Sequence, residues 1–209
     1  MSKQNVLRVI GLILTILLLA VTVWIGLRSH YESEQYAAAN RLKTAGKIAG
    51  LLAGVLVMTQ FALSARIKWI DTAFGVGRLM KCHVWCGKCA LLLAALHPIL
   101  LRMTGFYGEA MFPWRSWSEI LGMVVLVVLC VVVLTSVWRA TLKLPFDRWK
   151  KIHRLTFAVA VLVFIHALAR GTDFYKGWPR WFWIAAGAVY AGTFLWVKVG
   201  RPVLARRKA

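Results

Sequence analysis

The composition of this 209-residue chain is that of a protein embedded in lipid: 60% of its residues are hydrophobic, 16% are charged, and the mean hydropathy is +0.68. This balance excludes an ordinary soluble domain. In a soluble protein the net charge of +20 would suggest a nucleic-acid partner, but here the basic residues lie mainly between apolar runs, so we expect them to meet membrane lipid and no nucleic acid.

Six apolar runs are long enough to cross a bilayer, since a membrane-spanning helix needs about 20 residues. They lie near residues 7–27, 45–65, 79–101, 118–137, 149–169 and 181–199. Together with short loops they use nearly the whole chain. The sequence therefore predicts an all-α fold, a six-helix integral membrane bundle that forms a single domain over residues 1–209.

The Lys and Arg residues are divided unequally between the two sides of these spans. More of them fall on the side that carries both termini, which by the positive-inside rule is the cytoplasmic side. The first run is longer than the apolar region of a signal peptide, so we expect it to remain as a span. We therefore predict a protein of the bacterial inner membrane with both termini in the cytoplasm.

Four of the five histidines fall in two of the predicted spans. His83 and His97 lie 14 residues apart on the third span, and His153 and His166 lie 13 residues apart on the fifth. At a rise of about 1.5 Å per residue, each helix presents one imidazole near either membrane surface. The two spans run in the same direction, so we expect His83 to face His153 and His97 to face His166. Two stacked sites follow.

Two facing imidazoles suit an iron porphyrin, which takes axial ligands from opposite sides. Small residues on the same spans leave room for the ring: Gly87, Ala90, Ala94, Ala95, Ala158 and Ala160. Zinc suits the pattern less well, because it needs three or four convergent ligands. The sequence has no Cys-x-x-Cys-His pattern for covalent attachment, so we predict two b-type haems. The alternative is that these histidines form hydrogen bonds between packed helices.

The spacing on the fifth span does not fit a regular helix. At about 100° per residue, 14 residues bring His97 to within roughly 40° of the face of His83, but 13 residues leave His166 about 140° from His153. Either the fifth helix is locally distorted or the two haems approach it from different sides. The sequence leaves both possibilities open.

Two stretches of sequence resemble the ferric reductase-like transmembrane domain, the membrane part of NADPH oxidases and ferric-chelate reductases. The first is Gly-Arg-Leu at 77–79, followed by His83 and by His-Pro at 97–98. The second is Trp-Lys-Lys-Ile-His-Arg-Leu at 149–155, followed by His-Ala-Leu at 166–168. The two histidine spacings also match the pattern of that family.

The resemblance implies electron transfer through two haem b groups, with His83, His97, His153 and His166 as the iron ligands. It implies a flavin as the cytoplasmic donor and an acceptor on the outer side, which is ferric iron, oxygen or a partner protein. The given sequence ends soon after Arg201 and Pro202 and has no Gly-rich dinucleotide fingerprint. We therefore expect the flavin on a separate donor protein, and the chain to be one component of an oxidoreductase.

Two other functions remain open from the sequence. The haem-binding subunit of the bacterial methionine sulfoxide reductase system is similar in size and topology, and it would pass electrons to a periplasmic protein. A haem-free helical protein would use the histidines as a proton or ion pathway, or would serve as a scaffold.

Two arginines and three cysteines lie near the predicted inner site. Arg78 and Arg154 could pair with haem propionates through charge-assisted hydrogen bonds, although anchoring to lipid headgroups would explain them equally well. Cys82, Cys86 and Cys89 share one helix face. Three thiols on one helix converge poorly on a metal, so we interpret them as ordinary reduced cysteines.

Overall fold

The regular structure of the chain is helical throughout the part that the computed structural model describes, which is residues 3–27, 37–104, 117–170, 174, 177–200 and 203. Its helices, in chain order, are α1 (Lys3–Leu27), α2 (Ala37–Ser64), α3 (Lys68–Phe74), α4 (Val76–Arg102), α5 (Trp117–Val137), α6 (Phe146–His153), α7 (Thr156–Arg170) and α8 (Trp178–Leu195), which continues as a π-helix (Trp196–Gly200). No strand occurs among these residues, so the predicted all-α class is confirmed for them.

Five segments of the described residues are long and apolar enough to cross a membrane. They are Gln4–Leu27, Ala39–Ser64, Val76–Arg102, Trp117–Val137 and Phe146–Ala169, and they correspond to the first five predicted spans. The sixth predicted span corresponds to α8, which is not among them. The first turn of α8 holds Pro179 and Arg180, and these lower its hydropathy. The count of six spans therefore stays a prediction.

Helix α2 lies at the centre of the bundle. It packs against α1, α4, α7 and α8, and 44% of its most apolar 18 residues are buried, against 6 to 17% in the other four spans. Glycines four residues apart allow this close packing: Gly46 faces Leu101, Gly50 faces His97, and Gly54 faces Trp183. Small residues at this spacing let membrane helices approach one another.

Two apolar clusters fill the interior. The first joins α1, α2 and α8 through Ile25, Leu51, Val55, Met58, Phe174 and Trp183. The second joins α2, α4, α5 and α7 through Val57, Ala90, Val125, Leu129 and Val159. Ala90 lies midway between His83 and His97 along α4, so the second cluster is a packed apolar layer between the two histidine levels. Ala94 and Ala160, two of the predicted slot residues, pack against this layer.

The fifth predicted span is divided into two helices. Helix α6 ends at His153, and α7 begins at Thr156 after a tight turn in which the Leu155 N–H donates to Ile152 O at 2.9 Å. The Phe157 N–H donates to Arg154 O rather than to His153 O, and the Thr156 hydroxyl donates to the freed His153 carbonyl at 2.8 Å. The regular 3.6-residue period is broken between His153 and His166. The sequence left open whether the fifth helix is locally distorted or the two haems approach it from different sides. The structure shows a local distortion.

Candidate functional site

Four histidines meet in two pairs between α4 and the α6–α7 segment. The rings of His83 and His153 form what we call the inner pair, with centres 6.1 Å apart and planes at 55°. The rings of His97 and His166 form the outer pair, with centres 6.4 Å apart and planes at 83°. The structure thus brings together the same partners that the sequence predicted.

The separation within each pair fits a shared metal ion. Two metal–imidazole bonds of about 2.0–2.1 Å, plus about 1.1 Å from each nitrogen to its ring centre, would hold two opposed rings about 6.3 Å apart. The observed distances of 6.1 and 6.4 Å lie close to this value. All four rings are partly buried. The donor set, two neighbouring imidazoles at each level, suits a six-coordinate haem iron.

Main-chain carbonyls orient both rings of the outer pair. His97 Nδ1 lies 2.7 Å from Gly46 O, and His166 Nδ1 lies 2.8 Å from Ser118 O. Because a carbonyl oxygen can only accept, each Nδ1 must carry the proton and donate it. The lone pair of each neutral ring is then on Nε2, the nitrogen available to a metal.

Glycines make room for these two contacts. Gly50 and Gly122 each lie four residues, or one helical turn, after the carbonyl that accepts the hydrogen bond. A Cβ atom on Gly50 would lie 2.6 Å from His97 Nδ1, and one on Gly122 would lie 2.6 Å from His166 Cε1. A residue with a side chain at either position would displace the ring from its carbonyl partner.

A serine and a tryptophan hold His153 in the inner pair. His153 Nδ1 lies 3.2 Å from Ser136 Oγ, which also accepts a hydrogen bond from Trp149 Nε1 at 3.1 Å. The indole of Trp149 stacks on the imidazole with ring centres 5.0 Å apart and planes at 27°. Ser136 is on α5 and Trp149 is on α6, so two helices fix the position of this ring.

A glutamine contacts the other ring of the inner pair. In the orientation that satisfies its neighbours, the Gln60 amide nitrogen lies 2.7 Å from His83 Nδ1 and 3.0 Å from His83 O, and its oxygen lies 3.3 Å from Gly87 N. Gln60 is on α2, the helix that also supplies Gly46 to His97. Helix α2 therefore supports both histidines of α4, while α5 supports both histidines of α6 and α7.

The family of the chain follows from a comparison of its sequence with known families. Residues 49–165, more than half of the chain, match the family described as ferric reductase like transmembrane component. The chain belongs to this family. It is an integral membrane protein, as the apolar helices also indicate. A search of curated proteins found no match.

The ferric reductase-like match covers most of the site. It includes three of the four paired histidines and ends at Ile165, one residue before His166. Residues that support the rings, among them Gln60, Gly122 and Ser136, also lie inside the matched region. His166 is thus assigned to the site by its position opposite His97.

The two predicted propionate partners lie at the level of the inner pair. Arg154 directly follows His153, and Arg78 lies just over one helical turn before His83. Both side chains are exposed. Their pairing with a propionate therefore stays a prediction.

The cysteines of α4 lie along one side of that helix. Cys82 Sγ and Cys86 Sγ are 3.7 Å apart, and the side chains of Cys82 and Cys89 are exposed. Among the described residues, no group of three His, Cys, Asp or Glu side chains converges in a way that could hold a metal ion.

Several residues of the site were not identified from the sequence. Gln60 and Ser136 belong to no motif, and Trp149, although it lies in the resembling stretch 149–155, was not predicted to contact a histidine. The carbonyl acceptors belong to the main chain, which the sequence does not mark. The one usable signal was the spacing of glycines: Gly46, Gly50 and Gly54 recur every four residues on the second span. Such a pattern indicates a close approach by a neighbouring helix.

Proposed function

We propose that this chain carries electrons across the membrane through two b-type haems. In this proposal His83 and His153 hold the inner haem iron, and His97 and His166 hold the outer one. The observation that carries the proposal is the opposition of these rings at two depths, with centres 6.1 and 6.4 Å apart. The family match supports electron transfer as the general function.

The hydrogen bonds at Nδ1 favour ligation through Nε2 in the outer pair. In His97 and His166 the Nδ1 proton is committed to a carbonyl oxygen. At His83 the Gln60 amide presents its nitrogen to Nδ1, which suits the opposite tautomer. Metal binding at Nε2 would therefore require Gln60 to turn its oxygen toward Nδ1, a rotation of the terminal amide that gives up its hydrogen bonds with His83 O and Gly87 N.

The histidines also determine which chemistry is possible. A bound haem iron accepts and returns one electron. With an imidazole on each side, the chain leaves no open coordination position, so it would not bind a substrate at the iron. The apolar layer around Ala90 and Val159, exposed by 1% and 0%, excludes water between the two levels. The chain's role is thus to fix two sites at a set separation.

We infer that the inner pair faces the cytoplasm, in a bacterial inner membrane with both termini on that side. Basic side chains are concentrated in the segments at that end of the bundle: Arg66, Lys68, Arg78, Arg139, Lys143, Arg148, Lys150 and Lys151. Such an excess of Lys and Arg is typical of cytoplasmic loops. We propose α8 and its continuation as the sixth span, near residues 181–199, within a single domain over residues 1–209.

We propose a flavin-dependent protein as the cytoplasmic donor to the inner site. The acceptor at the outer side is ferric iron, oxygen or a periplasmic partner protein, and copurification with a periplasmic reductase would distinguish the last of these. As part of such a system the chain would be the haem-bearing component of an oxidoreductase.

The proposal is tested by a reduced-minus-oxidised absorbance spectrum of the purified protein and of single-histidine variants. We expect a b-type signal in the wild type, loss of one component in His97→Ala, and loss of the other in His83→Ala. His30, which lies outside the described residues, provides a matched control, and His30→Ala should retain both components. A wild-type protein without a b-type signal would refute the proposal and would favour the haem-free pathway.

A further inference from the structure

We propose that Ser136 is a positioning residue for the inner redox site, where its hydroxyl fixes the tautomer and plane of the His153 ring. This inference rests on the proposed function, because it concerns a histidine that would hold the inner haem. It adds a residue without a recognisable motif, on a helix that carries none of the four histidines.

The hydrogen-bonding capacity of Ser136 is fully used. A hydroxyl has one proton and two lone pairs. The shortest contact of Ser136 Oγ, 2.7 Å, is to Val132 O, which can only accept, so the proton is directed there. The Trp149 Nε1–H can only donate, and it occupies one lone pair at 3.1 Å.

The remaining lone pair determines the state of His153. Ser136 Oγ lies 3.2 Å from His153 Nδ1. Because the hydroxyl proton of Ser136 is already directed to a carbonyl, Ser136 Oγ can only accept in this contact, so His153 Nδ1 must carry the proton and donate it. Nε2 is then the free nitrogen of the ring. Trp149, which donates to Ser136, also stacks on the His153 ring with ring centres 5.0 Å apart. The plane of the His153 ring is therefore fixed together with its tautomer.

This arrangement has a consequence for the metal that His153 would bind. A histidine whose Nδ1–H donates to a fixed acceptor is a more basic ligand, and loss of such a partner typically weakens metal binding about 10- to 100-fold. A more basic axial ligand favours the ferric state, so removal of the acceptor should raise the reduction potential of the inner site. The outer pair, held by main-chain carbonyls, should not respond.

The experiment compares Ser136→Ala with two matched variants in the purified chain. Ser136→Thr keeps the hydroxyl. Thr135→Val removes the neighbouring hydroxyl on α5, which donates to main-chain carbonyls of its own helix, Val131 O at 2.6 Å and Val132 O at 3.2 Å. The readouts are a spectroelectrochemical titration, haem content, and the electron paramagnetic resonance spectrum of the ferric protein, which depends on the angle between the two imidazole planes.

We expect Ser136→Ala to raise the potential of one component or to lose that haem, and to change one of the two low-spin ferric signals. Ser136→Thr and Thr135→Val should behave as the wild type does. If Ser136→Ala matches Thr135→Val while the wild type retains two haems, the Ser136 proposal is wrong and the proposed function stands. If the wild type binds no haem, the proposed function fails and this proposal falls with it.

Discussion

The glycine at position 50 allows a quantitative test of how the outer site is built. In Gly50→Ala the new Cβ would lie 2.6 Å from His97 Nδ1, 2.8 Å from Cε1 and 3.0 Å from Cγ. All three distances are well inside van der Waals contact, and the atoms belong to one rigid ring. The imidazole would therefore have to move as a whole, and it would leave the Gly46 carbonyl, now 2.7 Å from its Nδ1.

Three contributions determine how much this substitution changes the stability of the His97 arrangement. Overpacking a filled interior costs about 1–3 kcal/mol, and leaving a buried hydrogen-bonding group unpaired costs about 1–3 kcal/mol. Replacement of a helical glycine by alanine stabilises the helix by about 1 kcal/mol. We expect Gly50→Ala to destabilise the arrangement of His97 by about 1–5 kcal/mol, which is enough to displace a ligand.

The assay is haem content per chain together with the reduced-minus-oxidised spectrum. We expect Gly50→Ala to lose the outer component and retain the inner one, and Gly122→Ala to do the same through His166. Gly192→Ala is the matched control, because a Cβ added there would meet no atom of the described residues within 4 Å. Two haems with a wild-type spectrum in Gly50→Ala would show that the close contact of Gly50 with His97 has no role in the site.

Two further predictions concern α2 and α8. Gln60→Leu should weaken haem binding at the inner site about 10- to 100-fold and spare the outer one, because the Gln60 amide, once its oxygen is turned toward His83 Nδ1, is the acceptor that keeps Nε2 of that ring free for the metal. Haem titration of the purified variant measures this, and equal loss at both sites would contradict it. Trp183→Phe should change the melting temperature little, because the buried Trp183 Nε1–H finds no hydrogen-bond partner among the described residues and its removal offsets part of the lost packing. A drop equivalent to more than about 3 kcal/mol would contradict this.

The membrane helices could be predicted from sequence because bilayer thickness sets their length. The first five spans were found in this way, whereas α8 holds Pro179 and Arg180 in its first turn and does not reach the same hydropathy. The short helices α3 and α6 were not foreseen as separate elements. Each has only seven or eight residues, with charged side chains such as Lys68 and Lys150 that are typical of loops.

The pairing of the histidines could be predicted because it depends on depth alone. Position along two parallel helices places His83 with His153 and His97 with His166, whatever the details of packing. The turn after His153 could not be predicted, since it depends on how Thr156 and the main chain satisfy the freed carbonyl. The hydrogen-bond partners of the outer rings could not be predicted either. They are the main-chain oxygens of Gly46 and Ser118, and the sequence marks each of them only by a glycine one helical turn later.

The proposed electron path requires that four histidines hold two irons. The most direct measurement is the molar ratio of haem to protein in the purified wild-type chain, determined by pyridine haemochrome and amino-acid analysis. We expect a ratio of two, with a b-type haemochrome spectrum, since each opposed pair of rings would bind one haem. A ratio near zero in protein that is folded and saturated with added haem would contradict the central claim.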